Sequence, residues 1–145
     1  MSILLDPELQ AWELCVPKGT RDDLIWKFHT YKVALYVLHL VREDVRRARV
    51  GAGWRTIADQ LLRSVASISA NIGEGYGRSR PLDRSRFYDM ALGSLRESIS
   101  WYEAARLHLP PAVVDARIDQ YAELHRMLYG ALRSLRHHPP GSRLF

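Results

Sequence analysis

The chain has 145 residues with a formal net charge of +5, and 47% of the residues are hydrophobic. That length fits one domain with a normal core, and that hydrophobic share argues against disorder. No apolar run approaches the ~20 residues that span a bilayer. Asp6, Glu8 and Glu13 interrupt an N-terminus that has no basic region, so no signal peptide is expected and the expected compartment is the cytoplasm. Cys15 stands alone, which excludes an internal disulfide and a CxxC-type metal site, and it reads as a small buried hydrophobe.

Residues 1–20 read as an N-terminal arm. Asp6-Pro7-Glu8 is a good helix start, with an N-cap, a proline at the first position and an acid in the first turn. Leu5, Leu9 and Trp12 then form a short apolar face, and Pro17-Lys18-Gly19 ends the helix. The arm must bury Trp12 and its leucines, either on its own bundle or on a neighbouring subunit.

The rest predicts an all-α, up-down-up-down four-helix bundle over residues 21–138, followed by a tail at 139–145. The first bundle helix is expected from Asp22 to Arg47, with Leu24, Phe28, Tyr31, Leu35 and Leu38 at 4-3 spacing as its seam and Ile25, Val33, Val37 and Leu40 widening that face. Val50-Gly51-Ala52-Gly53 is the turn. The second runs from Trp54 to Gly75 or Tyr76, where Gly73, Gly75 and Gly77 favour a left-handed cap. These glycines close a helix, whereas a phosphate-binding glycine loop opens one. The third runs from Arg80 to Leu107, with Ser79 as N-cap and Phe87, Ala91, Leu95, Ile99 and Tyr102 facing inward. The fourth runs from Ala112 to Arg136, with Val114, Ile118, Tyr121, His125, Leu128, Leu132 and Leu135 on one face.

The second helix organises the chain. From Ser64 to Gly77 its only charge is Glu74. At about 100° per residue, Leu61, Val65, Ile68 and Ile72 form an apolar stripe, and Ser64, Ser67, Asn71 and Glu74 a small polar one beside it. Ala66, Ser69, Ala70 and Gly73 cover the remaining side. Such a helix is expected to be buried almost all round, partly in its own bundle and partly against another copy of the chain.

The same residues carry a resemblance. Gln60-Leu61-Leu62-Arg63-Ser64, Ser67-Ile68 and Asn71-Ile72-Gly73-Glu74-Gly75-Tyr76-Gly77-Arg78 resemble the Ser-Ile-x-x-Asn-Ile-Ala-Glu-Gly-x-Gly-Arg signature of the four-helix bundle proteins encoded in intervening sequences of bacterial 23S rRNA genes. Arg86-Phe87 and Ala91-Leu92-Gly93-Ser94-Leu95-Arg96-Glu97 resemble its second block, and Asp23-Leu24-Ile25-Trp26-Lys27 its opening. The resemblance implies a homopentamer. A related branch resembles the accessory variability proteins of diversity-generating retroelements, basic pentamers that work with a reverse transcriptase and nucleic acid. Gly73 departs from the family's alanine, which weakens the helix by about 1 kcal/mol, and the arm before Asp22 is longer than the family pattern.

Asn71 beside Glu74 does not read as a catalytic pair, because no His, Cys or second acid lies one or two turns away on that face. Ser64, Ser67, Asn71, Gly73, Glu74, Gly75 and Arg78 read instead as an assembly motif. In it Asn71 bonds serines or backbone across a helix seam, and Glu74 takes Arg78 as its i+4 partner. His125 reads as a core or interface histidine, and His29 and His39 do not share a face. No metal, cofactor or catalytic residue is nominated.

Of 21 basic residues only Lys18, Lys27 and Lys32 are lysines. A coding bias also raises arginine, but it does not explain position. Arg78, Arg80, Arg84, Arg86, Arg133, Arg136 and Arg143 gather at one pole with His137 and His138. Dipole complementation accounts for cations at helix ends but not for Arg80, Arg84 and Arg86 at a helix start. Arg42, Arg46, Arg47, Arg49 and Arg55 occupy the opposite pole, with Glu43 and Asp44 against them. Five copies would multiply the +5 charge in a ring that attracts RNA or DNA backbone. The expected function is a non-enzymatic oligomer binding nucleic acid or a nucleic-acid enzyme. The alternatives are a structural pentamer with a protein partner, and a metal-independent ribonuclease of the HEPN type through Arg133-Ser134-Leu135-Arg136-His137-His138.

Overall fold

The computed structural model describes residues 2–137, which form an all-helical bundle. The α-helices are α1 (Pro7–Cys15), α2 (Lys18–Arg21), α3 (His29–Arg47), α4 (Trp54–Tyr76), α5 (Pro81–Ala104) and α6 (Pro111–His137). Short 3-10 turns at Ile3–Leu5, Leu24–Lys27 and Ala105–Leu107 fill three joints. Each of α3, α4 and α5 packs on the helix that follows it, and α6 returns to α3. Neighbours run antiparallel: Ser64 meets Ser98 while Ser67 meets Ser94, Arg117 early in α6 reaches Asp44 late in α3, and Arg136 late in α6 reaches Asp89 early in α5.

The apolar stripe of α4 is the centre of the core: Leu61, Val65, Ile68 and Ile72 are all 1% exposed or less. Removing a buried side chain of that kind to alanine costs about 2–5 kcal/mol. Val33, Val37 and Val41 of α3, Ala91, Leu95 and Tyr102 of α5, and Val114, Tyr121, Leu124, Leu128 and Leu132 of α6 close around it.

Several sequence expectations shift. The first bundle helix begins at His29, not Asp22. The Asp23 carboxylate accepts the Ile25 amide and starts a 3-10 turn that tucks Trp26 inward, and extended backbone at Phe28 separates that turn from α3. The buried residues of α3 are Thr30, Val33, Ala34, Tyr36, Val37, Leu40, Val41 and Asp44, so Val33, Val37 and Leu40 are inside as expected. The expected seam itself is rotated, with Leu24 exposed and Tyr31, Leu35 and Leu38 half-buried. In α5, Tyr88 and Leu92 are buried while Phe87 and Ile99 are half-buried. Arg80, not Ser79, is its N-cap, with Pro81 in the first turn. In α6, Leu124 takes the core place expected for His125, which is half-buried and stacks on Tyr129. Cys15 is exposed. The glycines at the end of α4 form no left-handed cap: among the described residues only Gly53, just before Trp54, has a positive φ, of 78°.

The arm docks on its own bundle. Asp6 caps α1 and Pro7 opens it, as the dipeptide predicts. Ile3 and Leu9 are buried, whereas Leu5 faces outward. Glu123 of α6 accepts the Ser2 hydroxyl at 2.5 Å and the Ile3 amide at 2.9 Å. Trp12 packs against Trp26, Tyr36 and His39. Glu13 receives the Trp26 indole N–H at 2.8 Å and Lys32 Nζ at 2.6 Å. α1 ends at Cys15, just before the expected Pro17-Lys18-Gly19 stop, and a second turn, α2, follows it.

Asp44, read in the sequence as a surface acid, is 6% exposed. It lies on the Val33–Val37–Val41 stripe and accepts Arg117 through Nε at 2.7 Å and Nη2 at 3.0 Å, together with the Tyr102 hydroxyl at 2.7 Å. This bidentate pair is charge-assisted and shielded from water. Burial, with the charge and hydrogen bond of Asp44 adding to it, pushes the Tyr102 hydroxyl far above its ordinary range. Arg117→Met leaves the Asp44 charge buried without its counter-ion, with the Tyr102 hydroxyl still bound to it, and lowers stability by about 3–5 kcal/mol in urea denaturation. The combined Asp44→Leu, Tyr102→Phe and Arg117→Met variant costs less than Arg117→Met alone.

Burial raises the Glu13 pKa, but the hydrogen bonds from Lys32 and Trp26 more than offset it, so the carboxyl lies below 4.5. A depressed acid stabilises the docked arm above the unfolded value, and that support is lost as pH falls through the folded one. Trp fluorescence therefore reports arm release below pH 4.5, and Glu13→Gln abolishes that step.

Candidate assembly face and basic pole

The contact between α4 and α5 is built from small residues. The Ser64 and Ser98 hydroxyls lie 3.0 Å apart, as do those of Ser67 and Ser94. Asn71 Nδ2 donates within its own helix, to the Ser67 carbonyl at 2.9 Å and to Ser67 Oγ at 3.0 Å. The expected bond across the seam is thus made by Ser67, and Asn71 supports it from one turn away. A Cβ on Gly75 would lie 2.8 Å from the Tyr88 ring and 2.9 Å from Phe87 Cβ, so Gly75 sets how closely the helices approach. Gly73 faces Tyr31 of its own chain, with 3.6 Å of room at the Cβ position.

The outer side of α4 is only partly covered. Ser69 is buried and Gly73 half-buried, against the reading of one small outward stripe, while Ala66 and Ala70 are exposed. Met90 and Gly93 of α5 are exposed close to the Ser67–Ser94 contact. Glu74 pairs with Arg78, which also lies 5.0 Å from the Phe87 ring.

At the pole, Arg84 does not face outward as a free cation. Its guanidinium donates to the Tyr76 carbonyl at 3.2 Å and the Arg78 carbonyl at 2.9 Å, and sits 5.7 Å from the Tyr76 ring. It thereby satisfies carbonyls at and just beyond the end of α4. Arg86 pairs with Asp83 at 3.5 Å and Arg136 with Asp89 at 2.9 Å. Arg80 and Arg133 are exposed and have no ion pair among the described residues. Arg143 and His138 lie outside the described residues, and with them the histidine of the ribonuclease pattern. Among the described residues no three His, Cys, Asp or Glu side chains converge as metal ligands.

Sequence reasoning missed a cleft of about 750 Å³ at this pole, lined by Lys27, Phe28, Tyr76, Arg84, Tyr88 and Leu135 among others. Phe28 stacks on Tyr76 at 6.0 Å and on Tyr88 at 5.9 Å. Burial is the main cause that raises Tyr88 to about 12, so its hydroxyl stays protonated at neutral pH. The cleft exists because α3 starts late. Extended backbone at Phe28 aims a ring at the α4–α5 end that a continuous helix would not present.

The glycines make opposite predictions. Gly75→Ala forces Phe87 and Tyr88 apart and destabilises by about 1–3 kcal/mol, as overpacking does. Gly73→Ala fits the space present and stabilises by up to about 1 kcal/mol through helix propensity. Thermal or urea melts of the two variants check both signs.

No curated protein matches the chain. The family described as 23S rRNA-intervening sequence protein matches residues 53–130, which span α4, α5 and most of α6, the helices that carry the serine contact and most of the pole. More than half of the chain lies in that match, and the chain belongs to the family of 23S rRNA-intervening sequence proteins.

Proposed function

We propose that this protein is a non-enzymatic homo-oligomer, pentameric by the family resemblance, that holds RNA or DNA backbone on its basic pole. A reverse transcriptase or another nucleic-acid enzyme would be recruited through the same surface, as the likeness to retroelement accessory proteins implies. The observation that carries the reading is the pair Arg80 and Arg133. Both are exposed and without ion pairs among the described residues, and Arg80 caps the start of α5, where the dipole disfavours cations. Exposed Ala66, Ala70 and Met90 support self-association: they are small or apolar positions left open between Arg63 and Glu74 of α4 and next to Asp89 of α5. Repetition of the pole around a ring concentrates polyanions.

A second reading, a structural pentamer with a protein partner, draws on the pairing of Arg78, Arg86 and Arg136 with carboxylates of their own chain. These pairs and the inward turn of Arg84 leave fewer cations for phosphate than the sequence count implies. Titration of labelled RNA and DNA against salt separates the readings. Backbone binding makes log K fall linearly with log salt, and Arg80→Glu with Arg133→Glu flattens the slope and weakens binding at least tenfold. No binding at about 50 mM salt, or affinity indifferent to salt, leaves the structural reading.

A further inference from the structure

The aromatic cleft lies at the same pole as the cations proposed to grip phosphates, and Lys27 is part of its wall. We propose that it takes an unpaired base of a single-stranded nucleic acid, so that the pole prefers single strands to duplex. This rests on the nucleic-acid reading above and names its substrate class.

Three features point to that occupant. The volume, about 750 Å³, falls in the range of about 300–1,000 Å³ typical of ligand clefts. Its walls combine the rings of Phe28, Tyr76 and Tyr88 with Leu24 and Leu135, and its charged members are Lys27 and Arg84, with no acid among them. A ligand that suits both must be planar, apolar on its faces and anionic on its edge, as a nucleotide is. Leu24 is 66% exposed and lies between this interior and solvent next to Lys27, an apolar rim beside a cation.

Charge excludes the other occupants of an apolar groove. An uncharged amphipathic helix, or the basic pole of a second copy, gains nothing from Lys27, or from Arg80 and Arg133 at the same pole. Single strands satisfy both parts, since stacking on aromatic side chains contributes about 1–3 kcal/mol per base and a basic groove follows the backbone. In a duplex the base faces are already stacked and the cleft has nothing to receive. Arg84 acts as a positioning residue: bound to the Tyr76 and Arg78 carbonyls, it holds the Tyr76 ring at the cleft wall.

The test is fluorescence anisotropy of the full-length protein with three labelled 20-nucleotide probes at one salt concentration. The probes are a single strand, the same strand with abasic sites throughout its middle, and the duplex. The account expects the intact strand to bind at least fivefold tighter than the abasic strand, which keeps every phosphate, and tighter than the duplex. Tyr76→Ala removes that preference, Lys27→Glu weakens binding of both the intact and the abasic strand, and Arg55→Glu at the opposite pole leaves the preference unchanged. Because the abasic comparison uses the unaltered protein, it stands even if Tyr76→Ala fails to fold. Equal affinity for all three probes overturns the cleft proposal and leaves backbone binding intact. Competition by a polyglutamate peptide as strong as by the intact strand also overturns it, in favour of an acidic protein partner. Failure to bind any probe overturns the nucleic-acid reading itself.

Discussion

Gly75 and the paired serines let α4 and α5 approach until side-chain hydroxyls and ring edges touch backbone-bearing carbons. At that distance the core side of α4 needs only one apolar stripe, and the polar side is filled by hydroxyls that bond one another and their own helix carbonyls. In the middle of its outer side Ala66 and Ala70 are exposed, between Arg63 and Glu74. A helix packed in this way carries little charge along its middle, and the proposed assembly would cover its outward face.

The same close packing shapes the pole. Phe87 and Tyr88 crowd against Gly75, Tyr88 supports Phe28, and Phe28 supports Tyr76. Arg84 then turns inward to take the carbonyls where α4 ends. An arginine that the sequence places in a binding patch is thus spent on ending a helix, and what it leaves behind is an aromatic cleft edged by Lys27 and by the cations of neighbouring turns.

Much of the fold was legible, and the reasons are physical. The stripe Leu61, Val65, Ile68 and Ile72 is buried as its period requires, and α4 keeps its expected bounds between Gly53 and Gly77 although Gly73 and Gly75 lie in its last turn. Asp6-Pro7 started α1 through local chemistry alone. The α3 seam failed because Asp23 offered a local hydrogen bond that competes with the helix, which moved the start to His29 and rotated the face. The signal for Asp44 was present, since it continues the Val33–Val37–Val41 stripe, but its partner Arg117 is 73 residues away and no local pattern links them. The site was less legible than the fold for the same reason. Whether an arginine reaches solvent, a carboxylate or a carbonyl depends on tertiary neighbours, as the different fates of Arg80, Arg84 and Arg136 show.

The account depends most on the claim that the bare face of α4 is covered by further copies of the chain. The direct measurement is the mass of the purified protein by light scattering coupled to size exclusion, across micromolar concentrations. The account predicts one homogeneous species at five times the 16.7 kDa chain. A species of 16.7 kDa that persists at every concentration contradicts it.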